Sequence, residues 1–379
     1  MESLSTTTLR DALVRQKPFV PCTSRRTGNT KYIPWPKPQI RVWSEFNIQT
    51  LNDSYGHVLD TALPRYLVDN LTMPADFFKN LTVSDDKAPL HFIGWNDATV
   101  MPLVKWSMQH MGLHTGTALF HRYTDARGTT VAKLPQAPNK LTVDHLVYLQ
   151  NPHRDTLVVG LGRTSTKWRS VAAMRNPGDA RGENTWPIRQ LANLCAQSGT
   201  RYGYIQTDEE LAVCCFGAKP PTSDKADTGA RWQEPHNKWD DWSVSLMVVP
   251  WNTELCGSGD ASGGGARRIL TTELAPWWLC MLALSDGHRP LVETKEIVAI
   301  DSWERVYLHK ECRWVRRHRY SSWEVPADPP PPSAYETPEP GNAATLAADV
   351  GANGQNWFDL IDPATIDLTG ANFDGMWPV

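Results

Sequence analysis

Between Gly94 and Phe216 the hydrophobic pattern changes period several times, and this order constrains the fold more than any other feature of the chain. "GWNDATVMPLVKWSMQHMG" sets Val100, Leu103, Val104, Trp106 and Met108 near helical spacing, with Asn96 near the cap and Pro102 read into the first turn. Strands are expected at about 117–123, 141–149 and 156–163. "WPIRQLANLCAQSG" reads as a helix opened by Pro187 and closed by Gly199, and "RYGYIQTDEELAVCCF" as a hairpin turning at Asp208–Glu209. A further strand, "WSVSLMVVPW", and a buried helix, "LTTELAPWWLCMLALSDG", follow. The order helix, strands, helix, strands predicts an α/β (α+β) domain over about 90–320.

The flanks differ in composition. Residues 1–43 hold eight basic and two acidic residues with five prolines, which predicts a basic, flexible N-terminal arm. Short apolar clusters from Ser44 to Asp86 predict helices broken at Pro64 and Pro74, so a single domain is expected over 44–325 with its core at about 90–290. A proline-rich linker (326–340) and an acidic, aromatic tail (341–379) complete the chain. From Ser321 onward there are nine of the 41 acids and no Lys or Arg, so residues 1–320 are mildly basic although the whole chain is at −3. Seven cysteines without a CxxC pair indicate neither a disulfide framework nor a zinc finger. The N-terminus lacks the apolar core of a signal peptide, and no apolar run reaches the roughly 18 residues of a membrane span. An intracellular protein of the cytoplasm or nucleus, with no membrane partner, is the expectation.

The glycines of "TLVVGLGRTSTKW" invite comparison with a dinucleotide-binding turn. Gly160 and Gly162 fit, but Ser165 stands where the third glycine belongs and "RTSTKW" opens a helix poorly, although Glu183 lies at a tolerable distance for the acid. Close packing or a bulge within a strand explains both glycines more simply. Strand alternation then places Leu157, Val159, Leu161 and Arg163 on one face.

The block "VVGLGRTSTKW … PIRQLANLCAQSGTRYGYIQTDEELAVCCF … LTTELAPWWLCMLAL" resembles a group of uncharacterised fungal proteins that look like members of the PD-(D/E)XK nuclease-like superfamily. The resemblance covers about 90–290 and is strongest over 156–216. It implies a restriction-endonuclease-like core, a central mixed β-sheet flanked by helices. It also implies a helix acid at Asp97 (in Asn96-Asp97), a strand acid at Asp144 (in Val143-Asp144), a helix glutamine at Gln190 and a Lys-Trp pair at Lys167-Trp168. At the two most demanding positions the pattern breaks: Leu161 stands for the second strand acid and Arg163 for the catalytic lysine.

Phosphodiester hydrolysis of this kind needs carboxylates that hold Mg²⁺, which polarises the phosphate and activates water. Leucine cannot ligate a cation, and arginine does not act as a base. An Asp144–Arg163 ion pair is therefore expected in place of a metal, because a carboxylate in an apolar strand needs a partner. Were hydrolysis retained, Asp97 and Asp144 would be the Mg²⁺ ligands and Lys167 the candidate substitute for the lysine, with Glu183 folding back; Asp155 lies too far along the strand to serve. No cofactor is otherwise expected. The favoured expectation is a catalytically inactive nuclease-fold protein that binds nucleic acid (DNA or RNA) or a protein partner. The alternatives are a Mg²⁺-dependent nuclease with a rearranged site, and an interaction protein working through its tail. "HKECRWVRRHRYSSW" offers Arg313, Arg316, Arg317 and Arg319 among aromatics, which suits phosphate contact and base stacking, and equally a solvated strand or helix face. The tail's Trp357, Phe358, Phe373 and Trp377 predict docking somewhere, on a partner or on the protein's own basic surface.

Overall fold

The computed structural model describes residues 6–23, 35–123, 143–150, 155–175, 184–220, 239–252, 269–285 and 287–328. The chain divides into two units, Met1–Pro326 and Ala327–Val379, and of the second Ala327 and Asp328 are described. The 341–379 tail, almost all of the 326–340 linker, Glu183 and most of the two loops preceding and following "WSVSLMVVPW" lie outside the described residues.

The chain begins with α1 (Leu9–Leu13), β1 (Cys22–Thr23), β2 (Gln39–Val42), α2 (Ile48–Leu59), α3 (Arg65–Val68), α4 (Pro74–Phe77) and β3 (Val83–Ser84). A π-helical turn, Pro89–Ile93, runs into α5 (Gly94–His110), followed by β4 (Ala118–Tyr123), β5 (His145–Gln150) and β6 (Asp155–Gly162). Then come α6 (Ser170–Arg175), α7 (Trp186–Ser198), β7 (Tyr202–Gln206), β8 (Glu210–Lys219), β9 (Asp240–Pro250) and α8 (Leu274–Leu284). Three strands close the unit: β10 (Trp303–Leu308), β11 (Arg313–His318) and β12 (Glu324–Pro326).

The central sheet has seven strands in the order β2-β9-β8-β7-β6-β5-β4. It is mixed: β6–β7 and β2–β9 are parallel, and the other four pairs antiparallel. Helices cover both faces. On one, α1, α2, α5 and α8 pack with Val147, Leu149, Tyr204 and Val213; on the other, Leu191, Ala192 and Cys195 of α7 pack with Val159, Leu161, Ile205 and Cys214. All eleven residues of α8 are buried, because α5 lies against it together with β6, β7 and β8. The ends of α7 follow from its residues: Pro187 sits in the first turn, and Gly199 ends it at φ 72°, a left-handed conformation that glycine adopts without a Cβ clash.

Three expectations change. Residues 1–43 are not uniformly a loose arm. Thr8 and Asp11 form a capping box on α1, whose Leu9, Ala12 and Leu13 are buried, and β2 adds to the sheet beside β9. Lys17 fixes the segment further: its Nζ is 3.1 Å from the buried carboxylate of Glu273 and 3.9 Å from the centre of the Trp251 ring. Second, α5 starts from the π-helical turn, so Asn96 makes no cap and Pro102 lies in the helix interior. Third, a bulge separates the pairs Val147–Val158 and Tyr148–Thr156. Leu157 is the extra residue, and it packs with Val158 on the α5/α8 face while Val159 and Leu161 face α7. Gly160 and Gly162 agree with the preferred reading of strand glycines: they belong to the middle and end of β6 and open no helix. A Cβ at Gly160 would stand 2.6 Å from the Tyr204 ring, and one at Gly162 would stand 2.6 Å from the Pro89 backbone. Close packing accounts for both. No helix among the described residues is long and apolar enough to cross a membrane.

Candidate functional site

Asp144 immediately precedes β5, and continuing the His145–Gly160 register places it beside Leu161 of β6. Asp144 is 7% exposed and its Oδ2 is doubly engaged, accepting from the Gly162 backbone N–H at 3.0 Å and from Arg163 Nη1 at 2.8 Å. Arg163 Nη2 donates to Gln190 Oε1 at 2.8 Å. The planar fork of the guanidinium thus joins the start of β5 to α7 across the end of β6. Gln190, which helix polarity alone would turn to solvent, is part of this cluster. Leu161 is fully buried with Val159, Leu191 and Ile205. A cation at Asp144 would have to displace a charge-assisted hydrogen bond and would meet a hydrocarbon wall on the neighbouring strand.

Asp97 takes different partners. Its Oδ1 is 2.6 Å from His121 Nδ1 of β4 and 3.4 Å from His145 Nε2 of β5. His145 Nδ1 in turn lies 2.6 Å from the Tyr204 hydroxyl, to which the Asn96 amide comes within 3.5 Å. Burial by itself would raise the Asp97 carboxyl, but the hydrogen bond from His121 and the charge of the His121 and His145 imidazoles beside it outweigh this and hold Asp97 well below the usual carboxylate range. Burial lowers the His145 imidazole, with Asp97 acting in the opposite direction. Successive strand residues point to opposite faces. His145 and Gly160 meet Tyr204 on the α5 side, whereas Arg163 reaches Gln190 of α7 on the other. The two carboxylates expected to share a cation are therefore each held by their own partners. His121, His145 and Tyr204 were not singled out by the sequence; a histidine inside the apolar strand runs "ALFHRY" and "HLVYLQ" was the available signal.

Lys167, the candidate substitute lysine, is 3.3 Å from Asp85 Oδ2. Thr164 donates to the same carboxylate, Ser165 N–H donates to Asp208 Oδ1 at 2.7 Å, and the Ser170 hydroxyl donates to Glu210 Oε2 at 2.9 Å. The "RTSTKW" turn is thereby held by two acids, Asp85 and Asp208, and the start of α6 by a third, Glu210. Asp155 pairs with Arg289 at 3.1 Å.

The basic segment is β11 of a three-stranded antiparallel sheet, β10-β11-β12. Arg317 makes two bonds to Glu324 Oε1 at 2.9 and 2.7 Å, Arg313 is 2.6 Å from Glu311, and Arg319 is 4.0 Å from Glu304. Arg316 lies over the Trp303 ring at 5.3 Å. Three of the four arginines thus have a nearby carboxylate, which reduces the positive potential available to a phosphate backbone.

No protein-family model matches the chain, and no curated protein or solved structure compared with it matches.

Proposed function

We propose that this chain is a catalytically inactive nuclease-like protein that acts by binding nucleic acid or a protein partner. The observation that carries the reading is the Asp144–Arg163–Gln190 cluster beside Leu161. At the position where a metal-dependent nuclease needs a second acid there is buried hydrocarbon, and the remaining strand acid is neutralised by an arginine. The element order supports a restriction-endonuclease-like core as the frame: a helix bearing Asp97, a strand begun by Asp144, a neighbouring strand ending before Arg163, and a helix bearing Gln190. The ion pairs of β11 weigh towards a protein partner over nucleic acid.

The test is incubation of the purified chain with single- and double-stranded DNA and RNA in Mg²⁺ or Mn²⁺, with fluorescence anisotropy on the same substrates. Uncut nucleic acid is expected. If it is also unbound, the protein-partner arm stands alone. Cleavage that disappears in Asp144→Ala would instead establish the alternative, a Mg²⁺-dependent nuclease with a rearranged site.

A further inference from the structure

We infer that Asp97, His121 and His145 form a binding site for a zinc-type divalent transition-metal ion, held by one carboxylate and two imidazoles with a fourth position open to water. This does not rest on the nuclease-like reading, whose metal ligands would have been Asp97 and Asp144. Three elements supply the donors: α5 carries Asp97, β4 carries His121 and β5 carries His145. His121 pairs with Val147 and Tyr123 with His145, so the two histidines are diagonal neighbours on one face of the sheet. Asp97 Oδ1 lies within 2.6 Å of one imidazole nitrogen and 3.4 Å of the other.

The second observation is an unpartnered donor set. His145 is 1% exposed, and while its Nδ1 meets Tyr204, its Nε2 approaches Asp97 Oδ1 to 3.4 Å without hydrogen-bond geometry and has no hydrogen-bond partner among the described residues. Asn96 Oδ1, one residue from Asp97 and equally buried, is also unpartnered. Buried polar atoms left unpaired call for an explanation, and a bound ion between a carboxylate and two imidazoles is one that fits their chemistry. A metal-ligating histidine typically has its other ring nitrogen fixed by a hydrogen bond, and Tyr204 does this for His145 at 2.6 Å.

The geometry is close to a ligand shell without yet being one. Zn–N and Zn–O bonds of about 2.0–2.2 Å at a tetrahedral angle place two ligand atoms roughly 3.3 Å apart. The Asp97–His145 separation of 3.4 Å meets this, and the Asp97–His121 separation of 2.6 Å is that of a hydrogen bond. As they stand, no three His, Cys, Asp or Glu side chains among the described residues surround a common point. His121 must draw back from Asp97 by about 0.7 Å, replacing the shared proton with the ion. Its position on an edge strand, with 19% of the side chain exposed, leaves room for that shift and a route for the ion. Two imidazoles and a carboxylate select a zinc-type ion over Mg²⁺, which prefers oxygen ligands.

Equilibrium dialysis of the full chain against Zn²⁺, with metal analysis and thermal melts, tests the site in the wild type, His121→Ala, Asp97→Asn and Asp144→Ala. Retention of one Zn²⁺ per chain by the wild type and Asp144→Ala is expected, with at least tenfold weaker binding in the other two and a Zn²⁺-dependent rise in Tm that His121→Ala loses. If Asp97→Asn does not fold, the exposed-edge variant His121→Ala decides alone. No retained zinc in the wild type would overturn the inference, as would equal retention in His121→Ala. Loss in Asp144→Ala with retention in His121→Ala would place the ion at the end of β6 and overturn this site.

Discussion

Arg163 serves three polar groups at once, donating to Asp144 and to Gln190 at 2.8 Å each and to the Gly162 carbonyl at 2.5 Å. Removing it leaves Asp144 with the Gly162 N–H as its remaining hydrogen bond among the described residues, so Arg163→Ala should cost about 2–3 kcal/mol. The double variant Asp144→Ala/Arg163→Ala should cost less than the sum of the two single changes, since no charge is then left buried and unpaired. Urea denaturation of the four proteins in this cycle measures the coupling; strict additivity would mean that the pair does not carry the local stability. This partnership was legible in the sequence, because an acid inside an apolar strand demands a partner and strand alternation brings position 163 to the same face. The Asp97 partnership was not. His121 reaches Asp97 through the placement of α5 over the β4–β5 edge, a relation between distant elements that has no local pattern.

At the scale of elements, β6 is defined by what its glycines admit. A Cβ at Gly162 would meet the Pro89 backbone at 2.6 Å, where no side chain can rotate away. Gly162→Ala should therefore destabilise the protein by about 2 kcal/mol or more. Gly56, inside α2 and with nothing within 4 Å of a new Cβ, should respond in the opposite direction, Gly56→Ala gaining about 0.5–1 kcal/mol. Denaturant midpoints of the two variants test both, and a tolerated Gly162→Ala would argue against the tight approach of the π-helical turn to β6. Helix and hairpin identities over 186–219 were readable because proline, glycine and hydrophobic period agree there. The bulge at Leu157 was not, since one inserted residue leaves the apolar run unchanged while reversing which face Leu157 joins. Nor was β2, a four-residue strand whose surrounding prolines and basic residues read as an arm.

Across the whole molecule, burial sets the response to acid. His57 is pushed down to about 4, first by burial and then by the charges of His110 and His318, and its ring stacks on Trp323 at 3.8 Å. His91, His145, His288 and His318 are lowered as well, burial being the first cause for each. The unfolded chain takes up protons near the ordinary value of about 6.5, while the folded chain resists them to lower pH. Stability should thus be fully present above pH 6.5 and decline as the pH falls towards 4. Asp97, whose carboxyl is lowered, adds a loss that begins only in the carboxylate range. Urea titrations at stepwise pH from 7.5 to 4.5 should show the decline beginning near 6.5; a flat profile would mean that these histidines are solvated. The same long-range closure explains why the role of the N-terminal segment was hidden: Lys17 finds Glu273 across nearly the whole described chain, a contact that local composition cannot encode.

Under the proposed nuclease-like reading, Arg163 takes, in charge, the place of a catalytic cation at Asp144. Calorimetric titration of Mg²⁺ into the wild-type chain, with Asp144→Ala as the control, tests it most directly. No binding heat is expected in either protein. Saturable Mg²⁺ binding in the wild type that vanishes in Asp144→Ala would contradict it.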